Sequence, residues 1–425
     1  MEKHTTSSSF FRLDGKSMVL PFVLVTSLFF FWGIANNMTD TLLSAFKRIM
    51  SMSDVQTSLI QLSFYGSYFC FALPAALFIK KFSYKSGILL GLGLYAAGAM
   101  LFYPASLTAS YPYYLIAIYV LAGGCSILET TANPYILSMG SQETATRRLN
   151  LAQAFNPFGS ITGILISQYF ILGELNKANA AERANMTADQ LVNVQAGELN
   201  AVTFTYMGVG VVLIFIFLFM LFSNMPKNAD ADKRIDLIGT FRRLIKNKLY
   251  VWGVVAQFFY VGAQIGVWSF TIRIVMNELG TNEKSSASIY LLSIICFSIS
   301  RFIFTALMKY IKPSKLLIIA AIAALCCTAA VVLGSGMFLV VALIGISIFM
   351  SLMFPTIYGF ALDGLGDDAK IGASGLIMAI LGGALITPLQ GLISDVAGIN
   401  MAYIIPLVCF VFVLAYGFMA QKAGK

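Results

Sequence analysis

Charge is scarce in this chain. Only 11% of its 425 residues are Asp, Glu, Lys or Arg, where soluble globular proteins carry about 25%. Hydrophobic residues make up 58% and mean hydropathy is +0.81. Such a composition excludes a soluble fold, and no stretch reads as a separate soluble domain. Histidine is the second shortage. His4, in a polar N-terminal tail, is the only one. That excludes Ser–His catalysis, histidine-dependent zinc sites and histidine proton relays, so any proton handling falls to carboxylates. Cysteine has no informative pattern. Cys70, Cys125, Cys296, Cys326, Cys327 and Cys409 all lie inside apolar runs, without disulfide-like or metal-ligand spacing. They read as small packing residues, and no cofactor or metal is expected.

What the chain has in abundance is long apolar runs. About twelve are long enough to span a bilayer as helices. The first begins near Met18 and is followed by "FKRIM" instead of a small-residue cleavage site, so it reads as a retained helix and not a signal peptide. The formal charge of +9 would suggest nucleic acid in a soluble protein. Here Lys and Arg cluster at the ends of apolar runs, the positive-inside pattern, so nucleic acid is not an expected partner and membrane lipid is. The same pattern puts both termini in the cytoplasm. The longest polar gap, "MPKNADADKRIDLIGTFRRLIKNKL", carries Lys227, Lys233, Arg234, Arg242, Arg243, Lys246 and Lys248 and divides the runs six plus six. Its "LIGTFRRLIKNKL" is amphipathic and is expected along the inner surface. An Ala-rich polar insert over 174–199 falls outside, with helical potential and no assigned function. The expected organisation is an all-α membrane protein of twelve transmembrane helices in two six-helix pseudo-symmetric bundles. Residues 1–17 form a cytoplasmic tail, 18–224 the first bundle, 225–248 a cytoplasmic linker, and 249–425 the second bundle with a short tail.

Polar residues inside apolar runs are costly and therefore informative. Within "SILETTANPY", Glu129 sits deep in the fourth run, where an ionised side chain costs at least about 2.5–3.5 kcal/mol. Cys125, Glu129 and Asn133 share a helix face at i, i+4 and i+8, and Pro134 follows. In the first run, "FFFWGIANNMTDTLL", Asn36 and Asn37 lie four and three residues before Asp40, so all three face one way. Gln61 and Tyr65 pair at i, i+4 in the second run, and Gln153 and Asn156 share a face in the fifth. Each amide brings donors and an acceptor. Polar groups on four helices of one half point to a wet cavity. The second half offers Tyr260, Gln264 and Trp268 at i, i+4 and i+8. Its only apparent charges, Arg273 and Arg301, read as lying near helix ends.

A cavity with one amide-and-acid wall and one aromatic wall suits a polar, uncharged ligand. Hydroxyls meet Asn, Gln and Glu, while C–H faces lie on rings. Sugars are of that kind. An anion would call for buried Arg or Lys, and a dication for several acids together. Two isolated intramembrane acids further suggest proton coupling, because low-dielectric surroundings favour the neutral carboxyl. A carrier of this design changes access when the acid is protonated.

Two short basic turns, "ALFIKKFSYKSGILLG" and "ALMKYIKPSKLLIIA", repeat at equivalent places in the halves. Here the chain resembles the major facilitator superfamily, whose glycine–aspartate–arginine pattern stands as Ala76, Lys80 and Lys81. The resemblance narrows through "FFFWGIANNMTDTLL", "LIQLSFYGSYF", "LETTANPY", "RLNLAQAFNPFGS", "AQFFYVGAQIGVWSF" and "LGGALITPLQGLISD". These are similar to the fucose permease branch of the sugar–proton symporters. The resemblance implies L-fucose uptake with a proton in a bacterial cytoplasmic (inner) membrane, by rocking of two halves about a central site. It implies that Asp40 carries the proton and that Glu129 is a substrate-linked acid able to exchange protons. Asn37, Gln153 and Asn156 match sugar-binding amides. Bacterial glucose/galactose permeases are similar over the same motifs, and an uncoupled facilitator has the same fold. A membrane enzyme is not expected, and no obligate protein partner is implied.

Overall fold

The computed structural model describes residues 10–13, 16–52, 54–176, 178, 182–183, 185–223, 236–281 and 283–424. Lys227, Lys233 and Arg234 of the expected linker lie outside the described residues. The first element among the described residues is a two-stranded antiparallel ribbon, β1 (Arg12–Leu13) and β2 (Lys16–Ser17). Among the described residues, every regular element after it is helical. The first half comprises α1 (Val19–Ile49), α2 (Asp54–Lys81), α3 (Tyr84–Met100), α4 (Phe102–Thr108) and α5 (Tyr111–Ser138). It continues with α6 (Ala145–Gln153), α7 (Asn156–Phe170) and α8 (Ala188–Phe222). After α9 (Leu237–Lys246), the second half comprises α10 (Lys248–Leu279), α11 (Glu283–Leu307), α12 (Pro313–Leu333), α13 (Gly336–Met350) and α14 (Met353–Leu362). It ends with α15 (Ala369–Met378), α16 (Gly382–Ala397) and α17 (Ile404–Lys422).

Among the described residues, 11 helical segments are long and apolar enough to cross a membrane. The segment they leave out is the pair α6–α7, between α5 and α8. It is interrupted at Ala154 and Phe155, and Pro157 near the start of α7 has no N–H to continue the ladder from α6. Read as one broken crossing, the pair brings the count to the expected twelve. The second half breaks twice. Pro355 follows the junction of α13 and α14, and a 3-10 turn at Ala379–Leu381 separates α15 from α16. Lipid cannot satisfy a broken ladder, so such breaks survive only against protein or a wet cavity.

Glycines set how closely the broken segments approach. A Cβ on Gly159 of α7 would lie 1.8 Å from the Phe30 carbonyl oxygen on α1, and one on Gly33 would lie 2.1 Å from that of Asn156. The second half repeats the device: a Cβ on Gly382 of α16 would lie 2.1 Å from the Phe258 carbonyl oxygen on α10. Thus α1 crosses α7 as α10 crosses α16, with "FFFWG" and "FFYVG" at the two crossings. This is the internal symmetry in physical form, and it places Asn36, Asn37, Asn156 and Ser160 around one junction.

The halves touch at the Lys/Arg-rich end. Asn150 donates to the Thr356 hydroxyl at 3.2 Å and Gln142 to Asp363 at 2.6 Å. The ring of Phe302 packs against Phe155 and Phe158, each at 5.9 Å between centroids. The ammonium of Lys370 sits over the Tyr84 ring at 5.3 Å. Along α2 the contact with α15 is extensive and thins out along α16. The result is a V, closed at the basic end. The amphipathic helix expected in the linker is present as α9, anchored by a bidentate pair from Arg243 to Asp368 at 2.7 and 2.8 Å.

At the opposite end the polar insert forms a cap tied to α1. Arg183 and Glu198 make a buried ion pair, Glu198 also accepts from the Asn176 N–H at 2.9 Å, and Gln195 donates to the Ile49 carbonyl at 2.8 Å. The helical potential of the insert is realised in the first turns of α8, which Thr187 and Gln190 cap reciprocally.

Gly159→Ala is expected to destabilise by about 1–3 kcal/mol, because backbone cannot move aside for the new methyl. Gly208→Ala on α8, where a Cβ would meet nothing within 4 Å, should be neutral or slightly stabilising. Thermal unfolding in one detergent, monitored by retention of the monodisperse species, compares the two.

Candidate functional site

Between the halves, above the closed end, lies a cavity of about 450 Å³, within the usual range for a small-molecule site. The first half contributes Asn36, Asn37, Gln61, Tyr65, Glu129, Gln153, Asn156 and Ser160, and the second contributes Gln264, Trp268, Ser269, Tyr290 and Arg301. Polar residues from α1, α2, α5, α6, α7 and α10 therefore meet at one cavity. Asn156 is fixed by donating to the Phe29 carbonyl at 3.1 Å, and Asn37 donates to the Gly33 carbonyl at 3.3 Å. Trp268 donates to the Ser347 hydroxyl at 3.3 Å, which holds its ring at the cavity wall.

Two expected residues stand behind the wall. Asn133 is wholly buried, and its side-chain oxygen accepts from the Gln153 amide at 2.9 Å. It orients Gln153 instead of lining the cavity. Tyr260 is wholly buried too, donating to the Met350 carbonyl at 2.9 Å and packing on Phe354. The helical spacing of Tyr260, Gln264 and Trp268 is real, but the wall curves away before reaching Tyr260. Asp40 belongs to α1 one turn beyond Asn36 and Asn37; its side chain lies outside the described residues.

Glu129 is 3% exposed, and its Oε2 is buried without a hydrogen-bond partner among the described residues. Tyr68 lines the same cavity. No ion pair reaches the Glu129 carboxyl among the described residues. This is a carboxyl poised at a cavity wall, not one neutralised by structure.

Two corrections concern the walls. Aromatics are not confined to the second half: beside the expected Tyr65, the rings of Phe29, Trp32, Phe64 and Tyr68 line the first-half side. Trp32 donates to the Tyr68 hydroxyl at 2.6 Å, so these rings form a fixed surface. Their signal was in the sequence, as Trp32 stands one turn before Asn36. The second correction is Arg301. It is not a helix-end charge but a buried residue facing the cavity, with its guanidinium stacked 4.5 Å from the Phe297 ring. Its depth was hidden because α11 continues to Leu307 and the neighbouring helices break at its level.

The chemistry available is that of binding. Several amides and one unpaired carboxyl can meet hydroxyls, aromatic faces can meet C–H groups, and both halves contribute. Among the described residues no group of acids, cysteines or histidines could hold a metal ion.

A two-halved helical fold with a central polar cavity defines a membrane transporter. The Major Facilitator Superfamily model matches residues 23–383, and the chain belongs to that family. It is 41% identical over 422 residues to the L-fucose-proton symporter of Haemophilus influenzae, covering 96% of this chain and 98% of that protein. It is 33% identical over 427 residues to the glucose/galactose transporter of Brucella abortus, covering 99% and 97%. Among solved structures, FucP in the outward conformation matches with a TM-score of 0.87 and 35% identity over 95% of this chain and 99% of that one.

The two layers of the wall separate experimentally. Asn133→Ala should weaken ligand binding about 3–10-fold by releasing Gln153, in keeping with one lost hydrogen bond. Tyr260→Phe should lower thermal stability with affinity unchanged. Isothermal titration and melting on the same preparations distinguish the outcomes.

Proposed function

We propose that this protein imports a sugar, L-fucose in the first instance, together with a proton, by alternating access of two six-helix halves. The observation that carries the reading is the unpaired Glu129 carboxyl in a cavity lined largely by amides and rings, whose one guanidinium, Arg301, is directed to backbone carbonyls. The fucose-symporter relative and the likeness to FucP support it, and the closure of the V at the basic end agrees with an outward-facing state. The rocking units are residues 18–224 and 249–425, joined through the linker 225–248, with the tail 1–17 before them. In this reading the protein lies in a bacterial inner membrane with its Lys/Arg-rich end and both termini on the cytoplasmic side, in keeping with the positive-inside rule.

The energetic logic concerns charge in a dry place. While the cavity is open, water reaches its walls. When both gates close, an unpaired carboxylate would be buried in low dielectric, at a cost of several kcal/mol. A protonated carboxyl, which also donates to a sugar oxygen, avoids that cost. The occluded state therefore forms when sugar and proton are both present. Asp40 acts as the proton carrier in this reading, Glu129 links proton and sugar, and Asn37, Gln61, Tyr65, Gln153, Asn156, Gln264 and Trp268 bind the ligand. A glucose or galactose substrate is the second reading, favoured by the Brucella relative.

Asp40→Asn should abolish uphill accumulation while retaining exchange, and full accumulation by that variant would remove Asp40 as the coupling site. Glu129→Gln should weaken sugar binding at least tenfold and flatten its pH dependence. Adding L-fucose to de-energised cells should alkalinise the medium; uptake without alkalinisation means an uncoupled facilitator. Competition by galactose and glucose decides between the two sugars.

A further inference from the structure

Arg301 does something that neither sugar binding nor proton exchange requires. Its Nε donates to the Ser351 carbonyl at 2.5 Å and its Nη1 to the Gln153 carbonyl at 2.9 Å. In a continuous helix each of those carbonyls would accept from the N–H four residues later. Those residues are Pro355 and Pro157, which have no N–H. One buried guanidinium thus supplies donors to two carbonyls that two prolines leave without one. Ser351 belongs to the same half as Arg301, at the junction of α13 and α14. Gln153 belongs to the other half, at the end of α6.

We infer that Arg301 is the latch of the closed end: a positioning residue whose bond to the Gln153 carbonyl holds the two halves together beneath the cavity. The inference rests on the alternating-access reading above. The two bonds have different fates. The one to Ser351 lies within a half and persists as that half moves. The one to Gln153 spans the halves and must break when the basic end opens. A carbonyl with no local N–H is a good latch acceptor, because it has no intrahelical donor to fall back on. Water entering the opening takes over as its partner, so the latch releases without stranding a buried group. Because Arg301 also lines the cavity, the group that holds the closed end stands where the ligand sits. Three of its five N–H groups are used by neither carbonyl, so a ligand hydroxyl can engage the same guanidinium.

The test measures access from both sides. In a background with the six native cysteines replaced, Ile272→Cys reports the cavity, and Thr146→Cys, which packs against Gly359 at the closed end, reports the other side. Labelling by a membrane-impermeant maleimide is followed in right-side-out and inside-out vesicles without sugar. Arg301→Met should slow labelling at 272 and speed it at 146, the ratio of the two rates changing by roughly tenfold, the loss of one charge-assisted hydrogen bond. Pro157→Ala leaves Arg301 intact but returns an N–H to the Gln153 carbonyl, so it should shift both rates in the same directions by a smaller factor. That variant keeps the question open to refutation if Arg301→Met does not fold. Unchanged labelling in a folded Arg301→Met protein, or in Pro157→Ala, overturns the latch. If L-fucose still changes labelling at both reporters in the parent protein, alternating access survives that failure. If it changes neither, the functional reading itself falls.

Discussion

A membrane-spanning backbone must satisfy its own hydrogen bonds, and this chain is organised around the places where it does not. Hydrocarbon offers no donor or acceptor, so an interrupted helix is tolerated only where protein or trapped water replaces the missing partner. Interruptions fall at Ala154–Phe155, at Ser351–Leu352 and at Ala379–Leu381, all beside the central cavity. Helix breaks bring carbonyls, amides and small residues to mid-depth, which is what a polar ligand needs there. The same breaks let α1 cross α7, and α10 cross α16, at distances that only glycine allows.

That arrangement explains both the polarity of the cavity and its restraint. Its amides are aimed by neighbours: Gln153 by Asn133, and Asn156 by the Phe29 carbonyl. Aimed amides lose little entropy on binding, and they favour ligands whose hydroxyls match them. The rings on both walls, held by Trp32–Tyr68 and Trp268–Ser347 contacts, supply flat apolar surface for C–H faces.

Much of this was legible in the order of residues. Run lengths, the basic ends of the runs and the central polar gap carried the architecture, because bilayer thickness and the positive-inside rule leave few alternatives. Glu129, the amides on α1 and α2, and the pair Gln153–Asn156 could be read because a polar residue inside an apolar run needs a reason. Asn133 and Tyr260 passed the same test and stand one layer back. Helical spacing gives a direction, but it does not say how far the neighbouring helix intrudes. The depth of Arg301 escapes the sequence for a related reason. Its place along α11 is plain, but the cavity floor is set by breaks in other helices, which periodicity on α11 does not register.

The two charged side chains that line the cavity among the described residues, Glu129 and Arg301, do not pair with each other, and that separation has a consequence. An ion pair would favour the ionised carboxyl and hold the guanidinium away from the backbone. Proton exchange at Glu129 would then be tied to breaking a buried pair, which is costly in a dry site. Instead the donors of Arg301 are directed to carbonyls that prolines leave open, and Glu129 keeps an oxygen with no partner. One charge is committed to the scaffold and the other is left available to the ligand. Coupling then needs no direct contact between them, because closing the cavity around the carboxyl and opening the end held by the guanidinium are two faces of the same movement.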